Sequence, residues 1–157
     1  MQALSPLERD RVRRNTDPEL NARIDERIAR SVRLYAGQPR EVITQRISEL
    51  EREWDIERVL ETNGSTLALA GVALSILGDR KWLLLSAGVL GFLFLHGTQG
   101  WCPPLPALRR MGVRTRDEIN REKFALKQLR GDFEGLEMDG AGSSNFQPER
   151  LAEVAAN

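Results

Sequence analysis

The chain has 157 residues, with 23 basic and 23 acidic side chains and a mean hydropathy of −0.40. A net charge of zero gives no long-range attraction for nucleic acid, and no basic run long enough to bind it is free of acids. One cysteine excludes an internal disulfide; one histidine and no phosphate-binding glycine loop leave no set for hydrolytic or nucleotide chemistry, so no enzyme activity and no cofactor are expected.

The average hides a sharp partition. Residues 1–63 carry 12 Arg and 13 acids, and residues 101–157 carry nine basic and nine acidic groups. Between them, residues 64–100 hold only Asp79, Arg80 and Lys81. The opening MQALSPLERDRVRR has no apolar core of signal-peptide length, and residues 1–16 are expected as a frayed helix or disorder.

Thr16 and Glu19 fit a capping box, with Pro18 in the first turn where its missing N–H costs nothing. Leu20, Ile24, Ile28 and Tyr35 follow at helical spacing, and Gly37 is the expected left-handed stop. Pro39 opens a second helix whose Ile43, Ile47, Leu50 and Trp54 form one narrow apolar stripe. That stripe cannot surround a core and calls for a partner helix or a lipid surface. Residues 1–63 are thus expected as cytoplasmic amphipathic helices.

Residues 64–102 predict a transmembrane helical hairpin with its turn at Asp79–Lys81. Gly64–Gly78 spans about 22 Å at a rise of ~1.5 Å per residue, and Trp82–Trp101 about 28 Å, against a hydrocarbon core of about 30 Å. Trp82 and Trp101 sit where interface anchors belong. Gly71, Ser75, Ala87 and Gly91 are small residues at four-residue spacing, which lets helices approach closely in lipid and supports a homodimer. Arg46, Arg52, Arg58, Arg109, Arg110, Arg114 and Arg116 flank the block, against Arg80 and Lys81 at its tip, so both termini are expected in the cytoplasm. The competing reading is a soluble helical scaffold that buries the apolar pair in an oligomer.

Residues 103–134 form a post-membrane element. Pro103-Pro104-Leu105-Pro106 predicts an extended exit. Thr115 and Glu118 fit a second capping box, Ile119, Leu126, Leu129 and Phe133 mark one helix face, and Gly131 ends it. Residues 135–157 are expected as a flexible tail. No strand-like alternation occurs anywhere, so the predicted fold is all-α.

The run from His96 through Thr115, HGTQGWCPPLPALRRMGVRT, resembles the end of the YgaP-like inner-membrane domain family, a two-helix hairpin closing in a G-x-CP element followed by Gly-x-x-Thr. Gly100, Cys102, Pro103, Gly112 and Thr115 occupy those positions, and the resemblance covers roughly residues 55–116. Pro104, Pro106 and Arg109-Arg110 depart from it. The resemblance implies a bacterial inner-membrane location. It does not carry over sulfurtransferase activity: a rhodanese places Arg five residues after its cysteine, where this chain has Ala107.

Cys102 and His96 are the candidate binding residues. Three roles are open to Cys102: packing where the helix ends, a thiol that carries sulfur or a lipid and is tuned by His96, or half of a metal site completed by a second copy. Packing is the expected role, and no metal is expected. The acids of residues 41–61 are expected as a solvated helix face. These expectations describe a membrane anchor or interaction module without its own catalysis, in contact with lipid, a second copy and an unidentified protein partner. The alternative is a membrane thiol protein handling sulfur or redox equivalents, with a separate rhodanese-like partner.

Overall fold

The computed structural model describes residues 10–133; residues 1–9 and the tail expected over residues 135–157 lie outside them. Every regular element among the described residues is helical. In chain order these are α1 (Arg11–Arg14), α2 (Pro18–Tyr35), α3 (Arg40–Arg52), α4 (Ile56–Leu77), a 3-10 turn (Arg80–Trp82), α5 (Leu83–Gln99), α6 (Leu105–Arg110) and α7 (Arg116–Arg130). The described residues form two compact units, one from residues 10–20 together with Trp54–Asp117, the other from Asn21–Glu53 and residues 118–133.

In the first unit, Asp55 begins α4. Its extended backbone leaves Oδ1 to accept the Arg58 N–H at 2.7 Å, while Oδ2 accepts from Arg116 Nε at 2.9 Å. The helix therefore starts at Ile56 rather than Gly64, and its 22 residues span about 33 Å. Asp79 Oδ1 accepts the Lys81 N–H at 2.9 Å and fixes the polar turn before α5. The two helices lie together with opposite chain sense. A side chain at Gly64 would meet Leu93, and one at Gly71 would meet Ser86 and come within 2.9 Å of the Trp82 carbonyl. The buried Ser86 hydroxyl donates to the Ala68 carbonyl at 2.8 Å.

Residues 10–16 are ordered where fraying was expected, and the rest of that expectation, residues 1–9, lies outside the described residues. Asp10 caps α1, its Oδ1 accepting from Val12 N at 2.9 Å and Arg13 N at 3.2 Å, and Val12 buries itself against Ile56, Leu60, Cys102 and Leu105. Thr16 does not cap α2: its hydroxyl donates to the Val12 carbonyl at 2.7 Å, and Asp17 Oδ1 accepts the Glu19 N–H instead. Nor is the proline run extended. Pro104 is helical (φ −75°, ψ −13°) and leads into α6, because prolines in a first turn lose no intrahelical bond and their fixed φ suits the helix.

The second unit has the ordinary inward pattern. Ile43, Ile47 and Leu50 of α3 bury against Ile119 and Leu126 of α7, with Tyr35 alongside. The stripe thus finds its cover within the chain. Trp54 is not part of it: α3 ends at Arg52, and Trp54 is half-exposed in the link, with the Arg58 guanidinium 4.5 Å from its ring centre. Leu129 and Phe133 are also only partly covered, each 40% exposed, while Glu118 and Glu122 take buried positions on α7. Glu122 accepts from Ser31 Oγ at 2.6 Å and Arg46 Nη2 at 2.9 Å, and Arg121 pairs with Asp25 at 3.1 Å. Gly131 closes α7 with φ 86°, but Gly37 is not left-handed; Pro39, which disfavours helix at Gln38, sets the end of α2.

Candidate functional site

Where α1 meets the end of α5 and the first turn of α4, a cavity of about 430 Å³ opens, lined by Asp10, Arg11, Glu57, Glu61, His96 and Arg116 among others. Gly100 makes this junction. It closes α5 in the left-handed conformation (φ 74°), and a Cβ there would come within 2.7 Å of the Arg11 backbone. α1 then satisfies the carbonyls left open at the helix end: Arg11 Nη1 donates to Gly97 O at 2.6 Å, and Asn15 Nδ2 to Gln99 O at 2.9 Å.

The polar lining is only partly satisfied. Asp10 Oδ2, Glu57 Oε2 and His96 Nδ1 are buried atoms with no hydrogen-bond partner among the described residues. The two guanidiniums are already engaged, Arg11 on the end of α5 and Arg116 on Asp55. Among the described residues no group of three or more His, Cys, Asp or Glu is arranged to hold a metal ion.

A second cavity, of about 360 Å³, is apolar. It lies between the near ends of α4 and α5 and the link to α6, with Leu60, Leu67, Phe92, Leu93, Cys102 and Leu108 in its walls. Cys102 is 3% exposed. Burial pushes its thiol up, opposed by a hydrogen bond from the Leu105 backbone, so the thiolate that sulfur chemistry needs is disfavoured. The structure sets Cys102 and His96 in different cavities.

The remaining expected residues divide. Gly71 lies on the α4–α5 contact, whereas the Ser75 hydroxyl donates to its own helix at Val72 O. Ala87 is exposed, and nothing lies within 4 Å of a Cβ built on Gly91. Trp82 and Trp101 are half-exposed at the two ends of α5. Sequence reasoning missed the cavity acids. The one local signal was Glu57 and Glu61, four residues apart and so on one helix face, directly before an apolar run. No protein-family model, curated protein or solved structure matches the chain.

Proposed function

We propose that this chain is a small bacterial inner-membrane protein in which α4 and α5 form a transmembrane hairpin and the charged helices lie in the cytoplasm, acting as an anchor or interaction module without catalysis of its own. The observation that carries this reading is the outward placement of the apolar side chains. Two segments are long and apolar enough to cross a membrane, and only 17% and 6% of their apolar windows is buried within the molecule. Ile76 and Leu77 are 78% and 85% exposed. A water-soluble monomer does not tolerate so large an apolar surface. Lys and Arg concentrated outside the polar tip support cytoplasmic termini, and the resemblance to YgaP-like domains supports the same architecture.

The open faces at Ala87 and Gly91 support pairing of two such hairpins. A sulfur or redox role through Cys102 is opposed by the burial of its thiol. Topology tests the reading. In intact spheroplasts, tags at either terminus should be protected from added protease, while a cysteine placed at Arg80, in a Cys102→Ser background, should react with an impermeant maleimide. A digested terminal tag or a protected tip overturns the orientation.

A further inference from the structure

We propose that the apolar cavity between the near ends of α4 and α5 and the link to α6 seats one acyl chain of a cytoplasmic-leaflet phospholipid. The site rests on the membrane reading above. Leu60, Leu67, Phe92, Leu93 and Leu108 are among the side chains that enclose its volume of about 360 Å³. Apart from the Cys102 thiol, Asn63 is the one polar side chain among the described wall residues, and its Nδ2 already donates to Val59 O of its own helix at 2.7 Å. A water held in a cavity needs about two to four polar partners, so this space is dry. Left empty, it forfeits the contacts of every side chain around it, and an apolar occupant restores them.

Position and shape select the occupant. The wall follows α4 from Val59 to Leu67, about 12 Å at ~1.5 Å per residue, against about 15 Å for one leaflet of a ~30 Å hydrocarbon core. A compact ring fills part of such a slot, whereas an extended hydrocarbon chain fills its length. Gly64 and Leu93 close the inner side, where a Cβ on the glycine would come within 2.9 Å of Leu93 Cδ1. Leu67 and Phe92, 50% and 47% exposed, carry the cavity out onto the faces that the membrane reading sets in lipid, so a chain enters sideways from the bilayer. α6 turns an open helix face into a slot. Pro104 is helical and Leu105 is fully buried, which folds the chain back and makes Leu108 part of the wall.

The full-length protein is reconstituted in vesicles of phosphatidylethanolamine and phosphatidylglycerol doped with a phosphatidylcholine that carries a mid-chain diazirine. It is then extracted into detergent, which removes bulk lipid, and irradiated. Native mass spectrometry counts the phospholipid retained, and peptide mapping locates the adducts. One retained phospholipid per chain is the expected result, with adducts on residues 59–67, 89–93 and 102–108 and none on residues 69–77. Val59→Trp and Leu108→Trp fill the slot from two sides and should each lower retention about tenfold, while Leu84→Trp, at an outward position of α5 away from the wall, leaves it unchanged. Circular dichroism establishes which variants are folded, and the wild-type adduct map tests the site whether or not a filling variant folds. No retained phospholipid, adducts spread evenly over both spans, unchanged retention in both folded filling variants, or a lipid-free dimer whose second copy occupies the slot overturns the proposal. Release by alkaline carbonate overturns the membrane reading and this site together; a carbonate-resistant chain that retains no phospholipid overturns this site alone.

Discussion

The two helical units are turned inside out relative to one another in composition. In α2, α3 and α7 the aliphatic residues Ile43, Ile47, Leu50, Ile119 and Leu126 face inward, and the charges that are buried, such as Glu122, are paired. In α4 and α5 the contact is made by Gly64, Ala68, Gly71 and Ser86, while Leu69, Ile76, Leu84 and Phe94 face outward. On the membrane reading proposed above, one chain is built for two solvents. The first arrangement gains by removing apolar area from water. The second, set in lipid, would gain little that way, because lipid is as apolar as leucine, and would rely on close backbone approach and an interhelical hydroxyl bond.

That contrast predicts different weak points. Glu122→Ala takes the buried acceptor from the Ser31 hydroxyl and from the Arg46 guanidinium, which keeps only Glu49 of these two acids, and each lost hydrogen bond to a charged acceptor costs about 1.5–3 kcal/mol. Denaturant titration should lose the helicity of α2, α3 and α7 first, with α4 and α5 retained in detergent; simultaneous loss of all helicity would break the comparison.

Gly71→Leu should cost less, about 1–3 kcal/mol, as the added side chain meets Ser86 and the Trp82 backbone. Gly91→Leu has open space around it, so the stability of the isolated chain in detergent should not change, whereas crosslinking of two copies in native membranes should fall. Equal destabilisation by both would place Gly91 on the internal contact.

The smallest effect is one of pH. In the second unit the Arg130 side-chain hydrogen bond holds the Asp132 carboxyl low, so its contribution is present at neutral pH and fades as pH falls through that lowered value. Asp132→Asn should lower the thermal midpoint slightly at about pH 7 and match wild type once the pH is below that value. A midpoint that runs parallel to wild type across this range contradicts the assignment.

Local pattern carried much of this structure. The α3 stripe through Leu50, the polar turn at Asp79 and the stop at Gly131 each depend on neighbours within a few residues, and each was legible. The start of α4 was not, because Arg116, 61 positions away, joins the capping Asp55. Thr16 fitted a capping box by spacing, but its hydroxyl goes back to the Val12 carbonyl and Asp17 takes the Glu19 N–H in its place. Trp54 fell on the α3 stripe by spacing alone, but the chain breaks before it. The cavity was hidden for a stronger reason: Asp10 reaches the neighbourhood of Glu57 and His96 only because α1 docks on Gly100, a contact between chain segments with no sequence signature.

Alkaline carbonate extraction of membranes from cells making the full-length chain tests most directly whether α4 and α5 reside in lipid. The protein should stay in the membrane pellet after treatment and partition to the soluble fraction only with detergent. Release into the carbonate supernatant would show that another protein surface, a second copy among the candidates, covers these apolar faces, and the assignment of two solvents to one chain would be lost.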